Sequence, residues 1–218
     1  MNDPGEDLVL LGGYFLIFGT LTSAVGVSSK KIVSEDFGRD LFAKGNAIES
    51  FGNSLQAIGR EKLYKKEGND ERELVMMVGA WSQAAGNITN TIATNIEREG
   101  LEEEGHKLNL VGSIIQAIGA QLETTGALEE GTFLSNIEAY GSELIGLGAL
   151  IDGTGNVALL NDKAILGDQL LLVGSWVQVF GAILIVYALT NKKRQKEEEN
   201  HSEHRYGYYP NKKIEWYI

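Results

Sequence analysis

From Gly105 to Gly126 the chain reads G-HKLNLV-G-SIIQAI-G-AQLETT-G. The glycines stand seven residues apart, and Leu108, Val111, Ile115, Ile118 and Leu122 fall three and six places after a glycine. With the glycine as heptad position a, the positions a, d, e and g share one broad face of an α-helix. The pattern therefore predicts a helix whose inward face carries glycine at a, large apolar residues at d and g, and one polar residue at e. The unit recurs as Gly52-NSL-Gln56-AI-Gly59, Gly79-AWS-Gln83-AA-Gly86, Gly112-SII-Gln116-AI-Gly119 and Gly174-SWV-Gln178-VF-Gly181. Two further copies lack the glutamine: Gly12-GYF-Leu16-IF-Gly19 and Gly141-SEL-Ile145-GL-Gly148.

Extending each copy by sevens gives lines through Gly5 and Gly26, Gly38 and Gly45, Ala93 and Gly100, Gly105 and Gly126, Gly155, Gly167 and Ala188; together the lines take up 21 of the 27 glycines. That excess makes the repeat real. A strand is excluded because an odd period would alternate the glycines between sheet faces. A helix-interior glycine costs roughly 0.8–1.0 kcal/mol against alanine. The twelve central glycines (Gly12, Gly19, Gly52, Gly59, Gly79, Gly86, Gly112, Gly119, Gly141, Gly148, Gly174 and Gly181) thus forgo on the order of 10 kcal/mol of propensity. Close helix packing is the expected compensation: the glycine line forms a groove for a neighbour's d and g side chains, and the heptad spacing favours left-handed crossing.

The expected fold is all-α, a six-helix antiparallel bundle over residues 1–190, with a charged, aromatic-ended tail over 191–218. Asp3-Pro4-Gly5-Glu6 reads as a helix start, with Asp3 as N-cap and Pro4 at the first helical position. That helix is expected to run to about Gly26. The second starts near Ser34 and the third near Asp70, after a break at KKEGND. An acidic junction, EREGLEEE, precedes the fourth, which ends near Gly126. Thr132 caps the fifth, which is expected to stop near Asp152 before GTGN. The sixth spans about 161–190. KKRQKEEENHSEH then reads as a frayed charge run, and the aromatics of RYGYYPNKKIEWYI as unstructured or docked on a partner.

The repeat resembles the uncharacterised repetitive proteins of bacilli built on Gly-x3-Gln-x2-Gly helices, over residues 5–188. The resemblance implies a bacterial source and an all-helical fold. It brings no activity, cofactor or site.

Charge and composition narrow the function further. The net charge of −11 disfavours nucleic acid and direct attraction to anionic lipid surfaces. The absence of cysteine removes disulfides and thiolate chemistry. Glu103 and His106 form one Glu-x-x-His pair where a di-iron bundle needs two. No serine has a histidine and an acid arranged for nucleophilic catalysis. Gly12-Gly13 and Gly153-Thr154-Gly155 follow no strand, so they are not phosphate loops. No enzyme, metal, cofactor or small-molecule substrate is expected. The glutamines Gln56, Gln83, Gln116 and Gln178 are read as buried amides that bridge helices and fix register, with a pore-lining strip as the alternative.

The first and sixth helices hold long uncharged runs, 8–29 and 169–191, of a length that crosses a bilayer. Both end in basic residues, so the positive-inside tendency orients both outside to inside. Neighbours at the two ends of an up-down six-helix bundle cannot both obey it. Either an odd number of the middle four helices cross, the third being the best single candidate although its polar run reads more readily as a buried or semi-buried helix, or none of the six spans; the middle helices carry too many charges to face lipid on every side. The expected function is a non-enzymatic structural or interaction protein associated with a bacterial cell membrane through the sixth and first helices, with membrane lipid and a protein partner at the tail as candidate partners. The alternatives are a cytoplasmic bundle that binds a protein, and a pore-forming bundle that inserts the first and sixth helices.

Overall fold

A computed structural model describes residues 3–66 and 68–206 and consists of six α-helices with no strand among those residues. They are α1 (Pro4–Ser29), α2 (Glu35–Lys66), α3 (Glu71–Arg98), α4 (Glu102–Glu129), α5 (Phe133–Leu160) and α6 (Ala164–Tyr206). Each helix packs beside the helices before and after it, and α6 closes on α1. No helix crosses the centre of this ring among the described residues, so side chains alone fill its axis.

The helix starts follow local chemistry. Asp3 caps α1 by accepting a hydrogen bond from the Gly5 amide at 2.8 Å, with Pro4 in the first turn. Asp70 caps α3 through the Arg72 amide. Thr132 and Ser135 form a capping box at the start of α5. Thr132→Ala is therefore expected to lower stability by about 0.5–2 kcal/mol, measured by thermal unfolding. An unchanged melting temperature would show that the box contributes nothing. Gly100 (φ 93°) and Gly131 (φ 70°) turn the chain after α3 and α4 in a left-handed conformation that a side chain disfavours. Gly100 therefore belongs to a turn and not to the glycine line expected for it.

Three tight helix pairs build the ring, and glycine sets their register. In the first pair Gly5 meets Gly59, Gly12 meets Gly52, Gly19 meets Gly45 and Gly26 meets Gly38, so α1 and α2 run antiparallel. In the second, Gly79 meets Gly119 and Gly86 meets Gly112; in the third, Gly141 meets Gly181, Gly148 meets Gly174 and Gly155 meets Gly167. A Cβ on Gly119 would stand 2.6 Å from the Gly79 carbonyl oxygen, and one on Gly141 2.7 Å from the Gly181 oxygen. These backbones approach as closely as they can, as small residues permit.

The groove beside each glycine is filled from position e of the partner, not from d and g as expected. The stem of Gln178 lies on Gly148, Gln116 on Gly86, Gln83 on Gly119 and Gln56 on Gly12. Positions a, b and e face inward throughout. In α4 these are Gly105, Asn109, Gly112, Ser113, Gln116, Gly119, Ala120, Glu123, Gly126 and Ala127. The large residues expected inside point outward: Val111 and Ile118 are exposed, and Leu108, Ile115 and Leu122 only half-buried. With glycine at the contact, the backbones come too close for a leucine or isoleucine to fit between them.

Two expected helix ends are also moved. GTGN at 153–156 does not terminate α5, which continues to Leu160, because Gly155 belongs to the seam with α6 and Gly153 rests against Leu110 and Ser113 of α4. The charge run after Thr190 continues α6 to Tyr206. Ion pairs hold its first turns: Lys192 to Glu138 and Glu130, Lys193 to Asp7 at 2.6 Å, and Lys196 to Glu6. The expectation that the final aromatics dock or stay free falls mostly on residues 207–218, outside the described residues.

Candidate functional site

The inward faces of the six helices make an axis of small and polar side chains. Among the largest completely buried side chains, Leu16 and Ile145 are aliphatic; Gln83, Asn53, Asn87, Thr20 and Thr94 are polar. Val9, Leu63, Ile185 and Leu189 join Leu16 and Ile145 in an apolar cluster. Met76 packs with Ala127 and Ala139 in a second, smaller apolar cluster, and hydrogen-bonded or unpartnered polar side chains fill much of what remains.

Three of the four glutamines bridge a helix pair. Gln83 Nε2 donates to Glu123 Oε2 at 2.8 Å, and Gln178 Nε2 donates to Asp152 Oδ2 at 2.7 Å. Gln116 Oε1 accepts from Asn90 Nδ2 at 3.0 Å, while its Nε2 donates to Asn87 Oδ1. Gln56 Nε2 is buried without a partner, as are both polar atoms of the Asn53 amide. Such orphaned groups are costly inside a fold and call for water or another occupant.

The polar run of the third helix, with Asn87 and Asn90, reads from the sequence as buried or semi-buried; the acids of the axis and the asparagines of the other helices were missed. Glu49, Glu123 and Asp152 are buried, as are Asn46, Asn53, Asn87, Asn90 and Asn109. The signal was present: Glu49, Asn90, Asn109, Glu123 and Asp152 each stand four residues after a line glycine, the position of the glutamines. Read helix by helix, these charges looked like the polar face of an amphipathic surface helix.

Charged layers close both ends of the axis. At the end holding the start of α1, Arg60 Nη1 bonds Glu73 at 3.2 Å and Arg60 Nη2 bonds Glu138 at 2.5 Å. Above them lies an open cavity of about 340 Å³, with Leu10, Leu63 and Leu134 in its wall and Arg72, Glu130, Lys192 and Lys196 at its rim. At the other end Asn109 Nδ2 donates to Glu97 at 2.6 Å, and His106 Nδ1 lies 3.1 Å from Glu97 and 3.2 Å from Asn156 Oδ1. Arg39 bonds Glu102 at 2.8 Å, and that hydrogen bond holds the Glu102 carboxyl below its usual range. Glu103, the other half of the Glu-x-x-His pair, points away and pairs with Lys107. Among the described residues no group of three or more His, Cys, Asp or Glu is placed to hold a metal ion.

The outer surface is the reverse of the axis. Phe18 (62% exposed), Phe180 (61%) and Ile118 (57%) stand out from it, with Trp81, Ile92, Leu150 and Tyr187 on neighbouring faces. Single exposed apolar residues are ordinary; a continuous shell of them is not. On α2, Glu49 and Arg60 are the only charges between Lys44 and Glu61, and both are buried, which leaves a charge-free outer band of about 25 Å. Glu143 of α5 is an exposed charge within the shell. Three helices are long and apolar enough to cross a membrane: α1, α5 and, over residues 164–199, α6. The third helix, the expected middle candidate, is not one of them, because its uncharged run is rich in Asn, Thr and Gln.

Residues 7–186 match a family of unknown function, DUF6944. No curated protein and no solved structure matches the chain.

Proposed function

The chain belongs to the family of unknown function DUF6944, and we propose that it is a non-enzymatic integral protein of a bacterial cell membrane, with all six helices crossing the bilayer as one ring. The observation that carries this reading is the inversion of the molecule. Glutamines, asparagines and acids occupy the axis, while phenylalanine, isoleucine, leucine and tryptophan face outward. In water that arrangement forgoes much of the hydrophobic driving force. In lipid it meets the requirement that polar and ionisable groups face the bundle interior. It also removes the objection that α2, α3 and α4 carry too many charges for a membrane, since Glu49, Glu73, Glu97 and Glu123 point inward. Lipid is the partner of the outer shell.

The closed ring changes the orientation argument. Lys66 pairs with Asp3, and Lys193 and Lys196 pair with Asp7 and Glu6, so the start of α1 lies beside the basic ends of α2 and α6. That end carries Lys62, Lys65, Lys66, Arg72, Lys192, Lys193, Arg194 and Lys196, and the other end Lys30, Lys31, Arg39, Lys44, Arg98, Lys107 and Lys163, so the positive-inside tendency gives the ring no preferred orientation.

The test combines extraction and labelling. The full-length protein should stay in the membrane pellet through high-pH and high-salt washes, because burial of apolar residues does not depend on charge. The natural chain has no cysteine, so single cysteines report sidedness cleanly. Glu103→Cys and Lys65→Cys lie at opposite ends of the ring, so one should react with an impermeant maleimide in intact cells and the other only after permeabilisation. Quantitative recovery in the supernatant would defeat the membrane reading. Glu143 favours one rival, a soluble assembly whose apolar shell is covered by protein; supernatant recovery as a defined oligomer or complex is its signature.

A further inference from the structure

Inside the axis, Glu49 of α2 and Asp152 of α5 line one cavity of about 10 Å³, the room taken by a single water-sized occupant. Glu49 accepts one hydrogen bond from Ser23 at 2.8 Å, and Asp152 one from Gln178 at 2.7 Å; neither has an ion-pair partner among the described residues. Glu123, bonded by Gln83, likewise has no ion-pair partner among the described residues but does not line this cavity. The remaining deeply buried acids are ion-paired: Glu73 and Glu138 pair with Arg60, and Glu97 lies against Arg39 and His106. No lysine or arginine lines the cavity.

Three oxygens of the residues lining this space lack a partner. Asp152 Oδ1, Asn90 Oδ1 and Ser175 Oγ are buried with no hydrogen-bond partner, and these three residues are 4%, 4% and 2% exposed. Asn90 Oδ1 lies over Gly112 and Asp152 Oδ1 over Gly174, so each rests on a glycine that offers no N–H or O–H. One water would donate to Asp152 Oδ1 and Asn90 Oδ1 and accept from the Ser175 hydroxyl, but it would leave the charge of the two carboxylates unmatched. An unpaired carboxylate out of water costs several kcal/mol unless it is neutralised. A cation meets both demands at once: it satisfies several oxygens and offsets the charge.

We propose that the cavity between Glu49 and Asp152 is a binding site for one dehydrated alkali cation of sodium size, coordinated by Glu49, Asp152, Asn90 and Ser175. Magnesium keeps several of its waters, for which the cavity has no room, and calcium draws on six to eight oxygens. One turn beyond Asp152, Asn156 donates to the Asp152 carbonyl and meets His106 near Glu97, a polar route from the end opposite the termini. The site does not depend on what surrounds the ring, so it stands apart from the membrane reading.

The experiment uses the purified full-length protein in detergent micelles or lipid discs at fixed pH and ionic strength. Radioactive sodium should bind saturably at about one ion per chain. Replacing choline by sodium should raise the melting temperature, by about 5–10 °C at a hundredfold excess over Kd. Glu49→Gln and Asp152→Asn keep shape and hydrogen-bonding capacity and should each abolish both effects while the chain stays monodisperse. Should either variant fail to fold, the other decides, with Ser175→Ala as a third that should weaken binding at least several-fold. Absence of saturable sodium binding, binding that survives in every folded variant, or complete displacement of sodium by equimolar calcium would each overturn the proposal.

Discussion

Gly119→Ala is expected to destabilise the protein by about 1–3 kcal/mol, although alanine is the better helix former, and Gly119→Leu by more. The added Cβ would stand 2.6 Å from the Gly79 carbonyl oxygen and 2.8 Å from the Gln83 amide nitrogen. Both are backbone atoms, so no rotamer change relieves the clash; α3 and α4 would have to move apart along their whole seam. Gly153→Ala is the control. It lies in α5 outside the seam, and its Cβ would meet Leu110 at 3.3 Å and Ser113 at 3.4 Å, both side-chain contacts that can give. Its gain in helix propensity, up to roughly 1 kcal/mol, should leave stability unchanged or raised. Thermal unfolding of the two variants against wild type in one detergent checks the pair. A Gly119→Ala protein that melts at or above the wild-type temperature would remove close backbone approach as the reason for the glycines.

The same seam explains what the sequence could and could not tell. Six helical segments were legible because the unit Gly-x6-Gly repeats in each of them, and the caps at Asp3 and Thr132 were legible from local chemistry alone. The direction each face points was not. Periodicity says that Val111 and Ile118 differ from Asn109 and Gln116; it does not say which set faces the axis, because that depends on how closely the neighbouring helices approach. The large residues were expected inward to fill the groove beside the glycines, and the close backbone approach leaves room there only for the side chains at e. Glu49, Glu123 and Asp152 were hidden because a charge on a helix reads as a surface charge. Gly153 and Gly155 looked like a stop signal because glycine both ends helices and allows them to touch, and only the presence of α6 and α4 decides between those uses. The helical course of 191–206 rests on Glu6, Asp7, Glu130 and Glu138, partners far away in sequence.

Arg60→Met is expected to cost about 3–5 kcal/mol, the range for breaking a buried ion pair by removing one partner. Its guanidinium ties three helices together: α2 to α3 through Glu73 at 3.2 Å and α2 to α5 through Glu138 at 2.5 Å. Glu73 is 4% and Glu138 2% exposed. Removing the cation leaves Glu138 with Lys192 at 2.7 Å, but it leaves Glu73 with Arg72 at 3.6 Å, so most of the penalty falls on Glu73. That identifies the second half of the test. Glu73→Gln added to Arg60→Met removes the stranded charge and should restore part of the stability, with a coupling of about 0.5–3 kcal/mol between the two sites. Lys65→Met provides the surface comparison. Its partner Glu61 is one helical turn away and both side chains are largely exposed, so it should change stability by less than about 1 kcal/mol. If Arg60→Met and Lys65→Met unfold at the same temperature, Arg60 does not hold the end of the axis closed, and the layer it forms with Glu73 and Glu138 is open to solvent.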